Sequence, residues 1–228
     1  MPTLILATQN PGKVRELESM LRASDLDIDI KGLDDLGQSF PEPVEDGGSF
    51  LANATIKATA YAKLTNLPCL ADDSGLEIDP LEGRPGVNSS HYAVLDLPQD
   101  HQDALSREQR DSKNIDKVLE ELDAVPLDER TARFVCTMVL ATPSGEILAT
   151  SQGTFEGRIG LPPTDPFATP STTVPRGDHG FGYDPIFLVS PEHDHTSAQL
   201  DPSEKNKISH RAKALSAMIE RLRTIDLP

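Results

Sequence analysis

Several residue types are scarce in this sequence, and each shortage excludes a class of protein. There is no Trp, there are only two Cys, and aromatic residues make up 4% of the 228 positions. A core must therefore rest on Leu, Ile, Val and Ala, and the isolated Cys69 and Cys136 are interpreted as small, reduced core residues. The longest apolar run, Phe134 to Ala141, is far too short to cross a bilayer. These features predict a soluble, cytoplasmic chain with no membrane partner.

Cationic residues are also in short supply. The chain has 21 Lys and Arg against 37 Asp and Glu, which gives a formal net charge of −16 at pH 7. Binding to a DNA or RNA backbone normally requires clustered Lys and Arg, so the composition argues against a nucleic-acid partner. A small anionic substrate is compatible with this charge only where a metal cation or a locally basic pocket offsets it.

The order of helix and strand signals predicts one α/β domain over residues 1–228, with a mixed sheet. The apolar run Thr3 to Ala7 predicts a buried strand, and Asn10 and Pro11 are typical of the helix start that follows it. Further helices are predicted from Ser49, over Ala104 to Leu122 and from Lys207, and strands over Cys69 to Ala71, Arg133 to Ala141, Glu146 to Arg158 and Phe181 to Val189. Residues 160–178 are rich in Pro and Thr and are predicted to form an irregular inserted loop.

The first candidate for a binding site is the junction between the first strand and helix, Thr8-Gln9-Asn10-Pro11-Gly12-Lys13. Backbone N–H groups at a helix N-terminus attract anions, and Lys13 lies in the first turn, within reach of a phosphate. The segment lacks the glycine pattern of a Walker A loop. The residues alone are equally compatible with an ordinary capped helix start.

Two adjacent carboxylates follow a short apolar run, in the segment Asp72-Asp73-Ser74-Gly75. Carboxylates that leave a sheet together are costly unless a cation or hydrogen-bond donors accept their charge. Magnesium binds through one or two carboxylates plus phosphate oxygens of its substrate, so the pair suits Mg²⁺. An acidic turn closed by Gly75 is the alternative interpretation. The preceding loop offers further oxygen ligands in Glu42, Glu45 and Asp46.

Two glycines flank an aromatic residue in the segment Gly180-Phe181-Gly182-Tyr183-Asp184-Pro185. The glycines allow the backbone to come close to a ligand, and the rings of Phe181 and Tyr183 offer faces for stacking. A strand entry that carries aromatic core residues is the alternative.

Cationic residues are concentrated at the predicted start of the last helix, in the segment Glu204-Lys205-Asn206-Lys207-Ile208-Ser209-His210-Arg211. The helix dipole does not favour cations there, which indicates that an anion is bound nearby. A solvated basic face is the alternative. The segment His193-Asp194-His195 has no third spaced ligand and is interpreted as a surface loop rather than a metal site.

Taken in order, these segments resemble the Ham1-like inosine triphosphate pyrophosphatase family, also called the RdgB or ITPase family. The matching stretches are LATQNPGKVRELESML, FLANATIKATAYAKL, ADDSGLEID with GRPGVNSSHYA, RFVCTMVLA, GTFEGRI, GFGYDPIF and EKNKISHRAKAL. The resemblance covers nearly the whole chain. It departs in two loops, at the insertion Leu161 to Asp178 and around His91 to His101, which affects the expected rim of a pocket rather than its chemistry.

The resemblance implies an elongated mixed β-sheet flanked by helices, with two lobes around a central cleft, in a homodimer. It also implies a magnesium-dependent hydrolase that cuts deaminated purine nucleoside triphosphates (ITP, dITP and XTP) to the monophosphate and pyrophosphate. Asp73 is then the catalytic base and a metal ligand, and Glu45, or alternatively Glu42, is the second metal ligand. The implied substrate-binding residues are Thr8, Gln9, Asn10, Pro11, Gly12, Lys13, Ser74, Phe181, Gly182, Tyr183, Asp184, Lys205, His210 and Arg211. Among these, Arg211 is a candidate donor to the 6-carbonyl of the purine.

Three other hypotheses stay open at this stage. The same hydrolysis could act on another modified or pyrimidine triphosphate, as in the similarly folded Maf-like proteins, although the TQNPGK and ADDSGL segments favour the purine family. A nucleotide sensor without catalysis is a second hypothesis, and the intact Asp72-Asp73 pair argues against it. A purely structural acidic protein would leave the four polar segments unexplained.

Overall fold

The computed structural model describes residues 1–227, apart from the side chains of Pro11, Gln99 and Asp103. The strands are β1 Thr3–Leu6, β2 Asp29–Gly32, β3 Cys69–Ile78, β4 Thr131–Ala141, β5 Ile147–Ile159 and β6 Phe187–Val189. The helices are α1 Pro11–Arg22, α2 Phe50–Thr65, α3 Gln99–Asp103, α4 Arg107–Glu121, α5 Pro202–Ile208 and α6 His210–Leu222. Among the residues described, no helix combines the length and apolar character needed to cross a bilayer.

The strands form one sheet in the order β2-β1-β3-β4-β5-β6. β1 pairs in parallel with both β2 and β3, whereas β5 and β6 are antiparallel. The α/β fold with a mixed sheet is therefore confirmed. In the β1–β3 pair, Leu6 is the last residue of β1 and lies opposite Leu70, and the two chains continue in the same direction because the strands are parallel. The residues that follow Leu6 are thereby brought next to those that follow Leu70.

Two compact units are distinguished along the chain. The first comprises Met1–Ser74, Cys136–Thr154 and the residues from Ser209 onward, and the second comprises Gly75–Val135 and Phe155–Ile208. β3, β4 and β5 each run from one unit into the other. The cleft between two lobes, the single-domain assignment and the homodimer stay predictions.

β1 is buried on both faces in the first unit because successive side chains of a strand point to opposite sides. Leu4 and Leu6 belong to a cluster that includes residues of α1 and α6. Ile5 belongs to a second cluster, which includes Ala54 and Ala58 of α2. The periodic apolar faces of these three helices thus cover the two sides of the strand from which the first candidate segment emerges.

The second unit has its own aromatic core. The Phe187 ring centroid lies 4.6 Å from that of Phe134 and 5.6 Å from that of Phe155. α4 contributes Val118 to the same buried cluster. Rings at these separations gain from their quadrupoles as well as from burial, which partly offsets the scarcity of aromatic residues.

The strand predicted over Cys69 to Ala71 is longer in the structure, and the alternative interpretation of Asp72-Asp73-Ser74-Gly75 as a turn is wrong. β3 runs without interruption over Cys69–Ile78, so both carboxylates lie within a strand. Consecutive strand residues project to opposite sides, which gives Asp72 and Asp73 different surroundings. The strand tolerates them because other segments supply their counter-charges, as described below.

Several predicted bounds also need correction. The helix placed over Ala104 to Leu122 begins at Arg107, because Ser106 and Gln109 form a reciprocal capping box. The last helix begins at His210 rather than Lys207, and a separate helix, α5, precedes it. Of the strand predicted over Phe181 to Val189, only Phe187–Val189 is extended, and the four-residue β2 was not predicted.

Candidate functional site

The end of β1 lies beside the middle of β3, which brings two of the candidate segments together in the first unit. The Lys13 ammonium, in the first turn of α1, lies 2.8 Å from Oδ2 of Asp72. The Nε of Arg211, in the first turn of α6, lies 3.7 Å from the same oxygen. Asp72 therefore faces two cations, although only 1% of its side chain is exposed.

Asp72 is held in its ionised form by these neighbours. Burial alone would raise the pKa of Asp72, because a carboxylate loses its water there. The positive charges of Lys13, Arg211 and Lys57 outweigh that effect and hold the pKa of Asp72 well below its usual range. Asp72 is thus an anion at neutral pH, and it fits a role in fixing the cations around it.

Asp73, the next residue of β3, has the opposite character. Burial raises the pKa of Asp73 to about 6, an effect that the charge of Lys57 opposes and that of Glu45 increases. Its Oδ1 accepts a hydrogen bond from the Ser74 amide at 3.1 Å, whereas its buried Oδ2 has no hydrogen-bond partner. Asp73 therefore offers a carboxylate oxygen that a cation, or a water molecule, would stabilise.

Lys57 of α2 connects the two acidic positions. Its buried ammonium lies 3.0 Å from Oε2 of Glu45 and donates to the backbone carbonyl of Asp72 at 3.0 Å. Burial alone would lower the pKa of Lys57, but the charges of Asp72 and Glu45 raise it, so the side chain stays protonated. Lys57 holds Glu45 in the neighbourhood of β3 through these contacts.

We expect the Lys57→Gln substitution to lower the free energy of unfolding by about 2 kcal/mol, because Glu45 loses its ion-pair partner and buried Asp72 loses one of its three neighbouring cations. Urea denaturation measured by circular dichroism checks this. Lys63→Gln on the same helix is the matched control, since Lys63 is exposed and should change stability little. Equal stabilities of the two variants would contradict this role of Lys57.

The carboxylates of this group fit a divalent cation with oxygen ligands. Asp73 contributes a buried oxygen without a hydrogen-bond partner, and Glu45 is close enough to raise the pKa of Asp73 through its charge. No group of three or more Asp, Glu, His or Cys suited to a metal occurs among the residues that the structure describes. A small set of protein ligands suits Mg²⁺, which keeps several waters and takes the remaining oxygens from a phosphate substrate.

Arg211 is buried and is also paired with α1. Its Nη1 lies 2.6 Å from Oε2 of Glu16, and its Nη2 donates to Oγ of Ser74 at 3.4 Å. α6 approaches β5 closely because Gly153 has no side chain, and a Cβ there would lie 2.3 Å from the His210 carbonyl oxygen. The contact of Arg211 with a purine carbonyl stays a prediction.

The remaining residues of the first candidate segment are hydrogen-bonded within the chain. Oδ1 of Asn10 accepts from the amides of Gly12 and Lys13 at 3.0 and 3.4 Å, which is an ordinary N-cap. The amide of Asn10 donates to Oγ1 of Thr8 at 3.2 Å. Gln9 donates to the carbonyl of Phe40 and to the Tyr61 hydroxyl, and the side chain of Pro11 lies outside the described residues. Phosphate binding by this segment stays a prediction.

The predicted residues of the second unit are organised around Asp184. This buried carboxylate accepts from the Phe181 amide at 2.9 Å and from the Ser197 hydroxyl at 2.7 Å, and it pairs with Lys205 at 2.6 Å. Tyr183 is also buried, and its hydroxyl donates to the Ser89 carbonyl at 2.8 Å. Asp184 and Tyr183 thus fix the loop, whereas the Phe181 ring is 38% exposed.

Comparison with known proteins identifies the family of this chain. A family model described as the Ham1 family matches residues 4–221. The chain belongs to the Ham1 family.

Relatives and solved structures of this family match over almost the whole chain. The dITP/XTP pyrophosphatase of Nitratidesulfovibrio vulgaris is 45% identical, over 96% of this chain and 94% of the relative. That of Bacillus subtilis is 43% identical, over 96% of each. A structure of a HAM1 protein from Coxiella burnetii is 39% identical, with a TM-score of 0.78, and the match covers 99% of this chain and 100% of that one. The resemblance read from the motifs is therefore confirmed.

The charged group around Asp72 and Asp73 in this Ham1-family chain is not a simple basic pocket. In the first unit, three cations (Lys13, Lys57 and Arg211) contact or neighbour four carboxylates (Asp72, Asp73, Glu45 and Glu16). The described residues of this group thus supply no excess of positive charge for a polyphosphate. Of the two possibilities that the composition left open, an added metal cation is the one that this group favours.

Three residues in or beside this charged group were missed in the sequence: Lys57, Glu16, and Asn53, whose Oδ1 accepts from the Gly47 amide at 2.9 Å. Asn53 and Lys57 lie on the buried face of α2, at helical spacing with Phe50, Ala54 and Tyr61. Polar residues on an otherwise apolar helix face are costly without partners, and that is the signal that could have found them. Glu16 gave no such signal, because its pairing with Arg211 joins residues at opposite ends of the chain.

Proposed function

We propose that this chain is a metal-dependent nucleoside triphosphate pyrophosphatase that converts dITP, ITP and XTP to the monophosphate and pyrophosphate, with Mg²⁺ as its metal. Its relatives of 45% and 43% identity carry the name dITP/XTP pyrophosphatase. The observation that carries the proposal is the unequal carboxylate pair, in which Asp72 is bound by cations and Asp73 has an oxygen without a partner. A cytoplasmic location, a homodimer and the absence of nucleic-acid binding remain part of the proposal.

The proposed reaction is the attack of water on the α-phosphorus of the triphosphate. Oδ2 of Asp73 accepts the proton of that water while the new P–O bond forms. The bond between the α-phosphorus and the bridging oxygen breaks, and its electron pair leaves with pyrophosphate. Asp73 is suited to this task because its Oδ2 has no hydrogen bond that must first be broken.

The other side chains of the group hold charge in place during this step. Asp73 and Glu45 would hold the divalent cation, which when bound neutralises negative charge on the phosphate oxygens. Asp72 keeps Lys13 and Arg211 beside β3, next to the point where β1 ends. A network of paired charges that is already ordered before substrate arrives avoids reorganisation during the reaction.

Product analysis with ITP, XTP, ATP and GTP tests the proposal. With Mg²⁺, we expect ITP and XTP to yield the monophosphate and pyrophosphate, and we expect kcat/KM for ITP to exceed that for ATP by about 100-fold or more, because donors that face a 6-carbonyl are left unpaired by an amino group. Removal of the metal by EDTA should abolish turnover, and added Mg²⁺ should restore it.

Four results would contradict the proposal, the last of them from the same assay with CTP and UTP. Release of orthophosphate and a diphosphate would place the cut at another phosphorus. Turnover that persists in EDTA would remove the metal from the reaction. Binding of ITP without any hydrolysis would favour the nucleotide sensor, and a preference for a pyrimidine triphosphate would favour the Maf-like specificity.

A further inference from the structure

Phe181 lies in the second unit, on a short loop between two glycines that Asp184 holds in place. Gly180 and Gly182 have φ of +81° and +60°, and a Cβ at Gly180 would lie 2.1 Å from Oδ2 of Asp184. The Phe181 amide donates to that same oxygen. The loop backbone is therefore fixed by Asp184, and the ring of Phe181 is partly exposed.

The first turns of α4 contact both the Phe181 ring and the backbone of Gly182. The Arg107 guanidinium lies over the Phe181 ring, with its carbon 4.7 Å from the ring centroid. Oδ2 of Asp111 accepts a hydrogen bond from the Gly182 amide at 3.0 Å. Arg107 and Asp111 are four residues apart and their charged groups lie 4.0 Å from each other, so one helix face contacts two consecutive loop residues.

The start of α4 is a rigid support for these contacts. Ser106 and Gln109 cap the helix reciprocally. One turn further along, buried Asn114 accepts from the Ala93 amide at 2.8 Å and donates to the Ser89 carbonyl at 3.2 Å. Because α4 is fixed at its cap and at Asn114, Arg107 and Asp111 are held in place where they contact Phe181 and Gly182.

We propose that Arg107 and Asp111 are positioning residues that hold the Phe181 ring as a stacking surface for the purine of the substrate. The inference rests on the proposed function, since it requires a purine nucleotide as ligand. A ring held over a guanidinium keeps its orientation, whereas a mobile ring must be ordered each time a base stacks on it. The two residues act on affinity for the base and not on the phosphate chemistry.

The Arg107→Ala variant tests this proposal. We expect KM for ITP and the Kd for inosine monophosphate to rise about threefold to tenfold, which matches the loss of a cation–π contact and the ordering of one side chain. kcat and the melting temperature should stay near the wild-type values, because the Arg107 side chain is 51% exposed. Arg107→Lys keeps a cation over the ring and should restore most of the affinity.

Three further variants make the test specific. Lys113→Ala removes an exposed cation from the same helix and should leave KM and Kd unchanged. Asp111→Ala should raise KM as Arg107→Ala does, while Asp111→Asn should raise it less, because the amide oxygen still accepts from Gly182. An Arg107→Ala variant with unchanged Kd, or with a loss confined to kcat, would overturn the inference.

The binding and hydrolysis measurements separate the two proposals. Wild-type protein that binds inosine monophosphate but does not cleave ITP would refute the proposed function and leave the role of Arg107 open to the Kd comparison. Wild-type protein that binds no purine nucleotide would refute the positioning role as well.

Discussion

Replacing Asp73 by Asn should reduce kcat for ITP by about 1,000-fold, within the range that loss of a general base produces. The amide has nearly the same shape but accepts no proton and is a much weaker ligand for a divalent cation. The fold should survive. Because the folded-state pKa of Asp73 is raised to about 6, its ionised form costs stability at pH 7, and an uncharged amide removes that cost. The melting temperature without metal should therefore equal or exceed that of the wild type.

Substitutions in the loop before α2 serve as controls for this result. Asp46→Asn makes the same chemical change at an exposed position and should retain wild-type kcat. Glu45→Gln should raise the Mg²⁺ concentration needed for half-maximal activity, whereas Glu42→Gln should not, because Lys57 holds only Glu45 beside the strand. Near-normal hydrolysis by Asp73→Asn would remove Asp73 from the role of base.

The parts of the site that the sequence predicts correctly are those encoded by neighbouring residues. The helix start at Asn10 and Pro11 follows from local capping preferences, and the structure has the same cap. The apolar face of α2 follows from the helical period. The motif resemblance predicts more than these local patterns do, because it uses the order of the segments along the whole chain. The family that it indicates is confirmed.

The features that were missed depend on partners far away in the sequence. A turn at Asp72 and Asp73 was a reasonable interpretation, because charged residues seldom occupy the interior of a strand. The neighbouring residues in the sequence do not indicate that Lys13, Lys57 and Arg211 supply the counter-charges. The contacts of Asp184 with a backbone amide, Ser197 and Lys205 were not predicted either. Its contact with substrate stays a prediction. Whether a polar residue serves a ligand or the fold depends on such partners, which local patterns do not specify.

Replacing Asp72 by Asn should have the opposite effect on stability from the same change at Asp73. Asp72 is the common partner of Lys13 and Arg211, so its loss removes the counter-charge of Lys13 and leaves Arg211 with Glu16 alone. We expect the free energy of unfolding to fall by about 3 kcal/mol, at the lower end of the cost of breaking a buried ion pair, since Asn can still accept one hydrogen bond. Activity should fall too, because the two cations lose their fixed positions. Urea denaturation and ITP hydrolysis on the same preparation measure both effects.

A double-mutant cycle identifies the cause of that loss. Lys13→Met removes one of the cations, so in its background Asp72→Asn should cost less stability than it does in the wild type, by a coupling of about 1 to 3 kcal/mol. Additive effects would mean that Asp72 stabilises the chain through other contacts. An Asp72→Asn variant as stable as Asp73→Asn would show that the two carboxylates do not differ in their surroundings, although one is bound by cations and the other has an oxygen without a partner. That difference is the reason for assigning charge fixation to the first carboxylate and proton transfer to the second.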